Sequence, residues 1–103
     1  MIAFTSGQLG LDPKTNLLVE GVKAQTEHAM TNLKNLAADN GFDLDRHAIK
    51  NTLYVTDIND FSTVNDVYKN YFSSDYPART TVGVKELPKG AKFEIDSVFF
   101  KSK

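Results

Sequence analysis

Between Pro77 and Ile95 the chain carries two runs of strand-forming residues around a turn, Leu87-Pro88-Lys89-Gly90, and each run holds a charge, Arg79 in the first and Glu94 in the second. A tight two-stranded unit is the reading this pattern favours. A charge in the middle of a sheet costs free energy unless it is paired or used. Arg79 and Glu94 are therefore the first candidates for a site that takes a small anion. Pairing Glu86 with Ala91 across the turn sets Val84 against Phe93 and Val82 against Ile95, an apolar set for one face. The same register puts Arg79, Thr81, Gly83, Glu94, Asp96 and Val98 on the other face, with Tyr54 and Phe100 adding apolar area. Arg79 and Glu94 then lie roughly 13 Å apart along the strands. They meet either through a ligand and water, or because Glu94 serves a pocket shared with another subunit.

The rest of the chain alternates strands and helices. Ile2 to Ser6 reads as a strand running into a turn at Gly7, and Asp12-Pro13-Lys14-Thr15-Asn16 as a turn. Leu17-Leu18-Val19 is a short strand candidate. Val22, Thr26, Ala29, Met30, Leu33, Leu36 and Ala37 repeat at helical spacing, and Asn40-Gly41 stops that helix. Ile49 to Thr56 alternates, with Ile49, Leu53 and Val55 predicted to face a helix. Asn59 or Asp60 is the expected cap of a second helix, whose stripe of Phe61, Val64, Val67 or Tyr68, and Tyr71 reads as core. The order β-α-β-α-β-β describes an α+β layer with two helices on one sheet face. No third helix covers the other face, so self-association into a homo-oligomer is expected to bury it.

Bulk properties narrow the function. A chain of 103 residues makes one domain, here spanning 1–103. Its net charge of −1 argues against binding nucleic acid by phosphate neutralisation. Lys85, Lys89, Lys92, Lys101 and Lys103 form only a mild basic end. Without cysteine there are no disulfides or thiolate metal sites. His28 and His47 fall in no metal-ligand spacing. No apolar run approaches the roughly 20 residues of a membrane span, and no signal pattern opens the chain, so a cytoplasmic location is expected.

Several separated segments, in order, carry a resemblance: Thr5-Ser6-Gly7-Gln8, Asp12-Pro13-Lys14-Thr15, Val55-Thr56-Asp57-Ile58-Asn59-Asp60-Phe61, Val64-Asn65, Tyr71-Phe72, and the stretch from Pro77-Ala78-Arg79 through Glu94-Ile95. Together they resemble the RidA/YjgF family of reactive intermediate deaminases over nearly the whole chain. The resemblance implies a chorismate-mutase-like fold and a homotrimer with ligand pockets between subunits. It implies hydrolysis of enamine and imine intermediates, released by pyridoxal-phosphate-dependent dehydratases, to 2-oxo acids and ammonia, with no cofactor or metal of the protein's own. By the same resemblance Arg79 grips the substrate carboxylate and Glu94 orients or deprotonates the attacking water. Thr81 offers its backbone N–H, Gly7 lies close to the ligand, and Ser6 and Asn65 border the pocket. The match starts at what looks like the family's second strand, so a first strand that lines the pocket is missing from the expectation. Two other readings stand beside the deaminase: a non-catalytic module that binds small carboxylates, and an endoribonuclease or translation inhibitor, an activity attributed to some relatives.

Overall fold

In the computed structural model, which describes residues 1–102, the organising element is a strand at the centre of the sheet, Ala48–Val55. Lys103 lies outside the described residues. In chain order the elements are β1 (Ile2–Phe4), β2 (Gln8–Leu9), α1 (Val22–Asp39), α2 (Leu44–His47), β3 (Ala48–Val55), α3 (Phe61–Tyr68), β4 (Ala78–Gly83) and β5 (Phe93–Phe100). One sheet runs β1-β5-β3-β4, and β2 also pairs with β5. The architecture is α+β, with α1 and α3 on one face; the four-residue α2 was not anticipated.

The expected hairpin of Arg79–Glu86 and Ala91–Phe100 does not form. β4 runs parallel to one side of β3, while β5 runs antiparallel to the other. The reason lies in the connection: β3-α3-β4 is a strand-helix-strand crossover, which delivers β4 parallel to the strand it left. The link from Val84 to Lys92 then passes the end of β3 rather than folding back tightly. Val84 N–H donates to the Val55 carbonyl at 2.8 Å and Thr56 N–H to the Lys92 carbonyl at 3.3 Å, which anchors both ends. Pro88–Gly90 is a short 3₁₀ turn in the middle of this link.

This topology also changes which residues share a face. Across β4, β3 and β5 the aligned sets are Arg79–Asn51–Ser97 and Thr81–Leu53–Ile95, and both lie on the helix side. Val82–Tyr54–Glu94 and Thr80–Thr52–Asp96 lie on the open side. Arg79, Thr81 and Gly83 therefore do not share a face with Glu94, Asp96 and Val98, and Val82 points away from the helices.

Beneath α1 and α3 the core is continuous. Ala29, Met30, Leu33 and Ala37 of α1, with Val64 and Tyr68 of α3, pack on Leu53, Val55, Phe93, Ile95 and Phe99. The first helix ends as its sequence predicts, at Asn40, with Gly41 in the left-handed region at φ 84°. The second starts from Asp60, one of the two expected caps, though the Asp60 side chain makes no capping bond; a 3₁₀ turn, Ile58–Asp60, precedes it and is capped by Asp57, whose Oδ1 accepts from Asn59 N–H at 2.9 Å. Leu17–Val19 is not a strand; only Leu18 bridges, to Leu11. Ile49 is turned out at a bulge between Ala48 and Lys50, so it leaves the apolar set of Leu53 and Val55.

One buried polar network crosses this core. Asn51, with no exposed surface, donates from Nδ2 to the Tyr68 hydroxyl at 3.0 Å and accepts from the Ser97 hydroxyl. Ser97 N–H in turn donates to Thr5 Oγ1 at 3.0 Å. Asn51→Ala strands the hydroxyls of Tyr68 and Ser97, and a destabilisation of about 1–3 kcal/mol is expected in urea unfolding at fixed protein concentration. An unfolding curve superimposable on the parent's would show that the network contributes nothing.

Candidate active site

Two half-sites are present, on opposite faces of the sheet. The first is built on β4 and α3. Arg79 leaves the outer strand on the helix side, where its guanidinium carbon stands 5.0 Å from the centre of the Tyr68 ring and 5.3 Å from that of Phe61. Both distances fit a cation resting on aromatic faces. Its Nη1 donates to Asn65 Oδ1 at 2.6 Å. Phe61, Asn65 and Tyr68 are four and three residues apart, so one face of α3 presents all three to the arginine. Asn65, Tyr68, Lys69, Tyr76, Pro77 and Arg79 line an open cleft of about 460 Å³. Burial raises the Tyr68 phenol above its usual titration range, while its bond from Asn51 and the nearby Arg79 charge act in the opposite direction.

Thr81 follows two residues along the same face. Its hydroxyl is buried without a hydrogen-bond partner. Val84 N–H is directed at β3, and counting back by twos along a parallel strand assigns Val82 and Thr80 to that ladder. The N–H groups of Arg79 and Thr81 therefore face the unpaired edge, beside the cleft.

The second half-site lies on the open face of β5. Glu94 is half-buried, paired across the ladder with Tyr54 on one side and Leu9 on the other. Its carboxylate rests against Gly7: a Cβ built there would stand 1.6 Å from Oε2. Gly7 is thus required by close approach. Ser6 precedes it and is exposed, with its carbonyl accepting from Gln8 Nε2 at 3.3 Å. Asp96, two residues along, shares the face, and its Oδ2 accepts from the Tyr54 hydroxyl at 2.8 Å. Desolvation first, and the Asp96 charge second, push the Glu94 carboxyl above the ordinary glutamate range.

Of the residues singled out from sequence, Arg79, Asn65 and Thr81 come together on one face and Glu94, Gly7 and Ser6 on the other. The halves do not meet within one chain. β3 separates β4 from β5, a lateral gap of about 10 Å before the sheet's thickness is added. Sequence reasoning missed Phe61, Tyr68, Tyr54 and Asp96. The first two carried a signal, since both lie on the aromatic-rich helix that precedes the Arg79 strand, but helical spacing assigned them wholly to the core.

A family profile described as Endoribonuclease L-PSP matches residues 1–99. The chain belongs to this family, RidA/YjgF. Among its relatives, "2-iminobutanoate/2-iminopropanoate deaminase" of Bos taurus is 46% identical over 92% of this chain and 69% of its own length. "Protein DfrA" of Myxococcus xanthus is 47% identical, over 94% and 74% respectively. Two solved RidA/YjgF structures superpose closely. RidA of an Antarctic Psychrobacter is 40% identical, with a TM-score of 0.94 over 97% of this chain and 80% of that one. TdcF of E. coli, solved with bound serine, is 36% identical, with a TM-score of 0.92 over 98% and 81%.

Gly7→Ala is expected to displace the Glu94 side chain while leaving the fold intact, because the clash falls on the far end of a flexible side chain. Carboxyl ¹³C shifts and amide spectra check this. An unmoved Glu94 signal would show that Gly7 does not set its position.

Proposed function

We propose that this chain is an imine/enamine deaminase that hydrolyses small 2-imino acids to 2-oxo acids and ammonia, in pockets between the subunits of a chorismate-mutase-like homotrimer. The observation that carries this reading is the division of the two half-sites. Arg79 is held at an open edge and Glu94 on an uncovered sheet face, so a second copy laid on that face completes what one chain leaves apart. Ile2, Phe4, Ile49 and Phe100 stay exposed, Phe4 at 75%, and the pairs Ile2–Phe100 and Phe4–Val98 add an apolar surface to the face that carries Glu94. Such an area favours self-association. Relatives named as deaminases for 2-iminobutanoate and 2-iminopropanoate support the substrate class.

The chemistry follows from the residues. The planar fork of Arg79 makes two parallel charge-assisted bonds to the substrate carboxylate, and Asn65 fixes the fork's other edge. The outward N–H of Thr81 donates to the same carboxylate. Glu94 takes a proton from water as the water oxygen bonds to the imine carbon, and passes it to the imine nitrogen, giving a carbinolamine. Glu94 then takes the hydroxyl proton as the carbonyl forms and gives it to the nitrogen, which leaves as ammonia. A carboxyl raised above its ordinary range suits a group that must both accept and donate. Gly7 and Ser6 form the wall behind it. No cofactor or metal enters this scheme.

Arg79→Ala is expected to lower kcat/KM about 10²-fold or more, and Glu94→Gln about 10²–10⁴-fold. The assay couples the protein to a threonine dehydratase and follows semicarbazone trapping of the intermediate. Trapping at the same rate with and without the protein would sink the proposal. Mixing the two inactive variants and reassembling them should restore part of the activity, since some pockets then receive an intact half from each. Mixtures as inactive as the separate variants would refute the intersubunit site.

A second reading rests on the completeness of the Arg79–Asn65 half-site within one chain, which needs no Glu94 to hold a carboxylate. On that reading the protein binds 2-oxo acids without turnover. Calorimetry that finds binding beside zero deaminase activity would select it. The endoribonuclease reading draws on the family's description, and a net charge of −1 gives it little electrostatic support.

A further inference from the structure

On the open face, Tyr54, Glu94 and Asp96 form a triangle that the reaction scheme above does not use in full. Tyr54 stands directly across the β3–β5 ladder from Glu94, yet its hydroxyl reaches diagonally past that residue to bind Asp96 Oδ2 at 2.8 Å. A diagonal reach of this kind is within the range of an aromatic side chain. Glu94 is thereby enclosed on three sides, by the Tyr54 strand, by Asp96 along its own strand, and by the Cα of Gly7.

We propose that Asp96, tethered by the Tyr54 hydroxyl, is a positioning residue whose negative charge governs when Glu94 carries its proton. The charged neighbours leave that role to Asp96. Along β3 the nearest charge on this face is Lys50, and its Nζ is directed to Thr80 Oγ1 at 2.6 Å, toward β4. β4 contributes Thr80 and Val82, which carry no charge, and β1 and β2 contribute Phe4 and Leu9 beside β5. Lys92 lies beyond the start of β5 and is exposed. Among the described residues the only ion pair is Lys69–Asp66, on the other side of the molecule, so no lysine or arginine cancels the Asp96 charge. The Tyr54 phenol is the one group bound to that carboxylate, and it is pushed above its usual range chiefly by this bond.

The consequence for mechanism rests on the deaminase reading. In an assembled pocket, Arg79 of the next copy draws the Glu94 carboxyl down toward permanent ionisation, which would leave it a poor proton donor. Asp96 pushes the other way. The two charges together keep Glu94 able to take the water proton and to give it back.

The test compares Asp96→Asn and Asp96→Glu with the parent. Ionised Glu94 is the active form, so kcat/KM falls on the acid side as Glu94 protonates. Removing the neighbouring negative charge makes ionisation easier. For Asp96→Asn the acid limb should move to lower pH by about half a unit or more, with KM unchanged at neutral pH. Asp96→Glu should keep the parental limb. The Glu94 ¹³C carboxyl titration should shift with the limb and reads the charge effect without any assay. An unchanged Glu94 midpoint in folded, assembled Asp96→Asn overturns the proposal. If the midpoint falls but the parent has no deaminase activity, the tether and its charge effect stand, and the deaminase reading is what fails.

Discussion

Asn51 sits in the middle of β3 with both neighbours of that strand fixed around it, and this placement determines the remainder of the molecule. On one side it is level with Arg79 and on the other with Ser97. A polar side chain there is tolerable because the Tyr68 and Ser97 hydroxyls satisfy it. The Tyr68 bond ties α3 to the sheet, and a separate bond from Ser97 N–H holds Thr5, just past β1. The strand is therefore a joint between the two halves of the candidate site, carrying the Arg79 platform on one face and Tyr54, the partner of Glu94, on the other.

That arrangement keeps the arginine and the glutamate of one chain from neutralising each other. A direct pair would tie up both groups, with the guanidinium covered and the carboxylate held ionised. Opposite faces prevent it. On the proposed reading the apolar residues around Glu94 have a second use, because the surface that takes another copy is the surface that holds the carboxylate.

Elements with a clear period were legible in the sequence. Val22–Asp39, Ala48–Val55 and Phe61–Tyr68 match their patterns to within a few residues, since each buries one regular face. Pairing was not legible. The runs around Arg79 and Glu94 look like a hairpin because four turn-forming residues sit between them, and nothing local reveals that β3 will slot in from outside. The crossover through α3 decides that, and it is a property of the whole chain. The face of Arg79 went wrong for the same reason. Gly7 and Asn65 were legible only through family resemblance. The Tyr54–Asp96 bond left no trace in the sequence, because a diagonal contact depends on a register that the hairpin reading had misplaced.

The resting of Arg79 against Phe61 and Tyr68 has a thermodynamic consequence for recognition. A free arginine side chain carries about 2 kcal/mol of rotamer entropy, part of which a ligand must normally quench. Here two rings and an amide oxygen already restrain part of that freedom. Under the proposed function an incoming acid then loses mainly its own motion, so even a molecule of a handful of atoms dwells long enough to react.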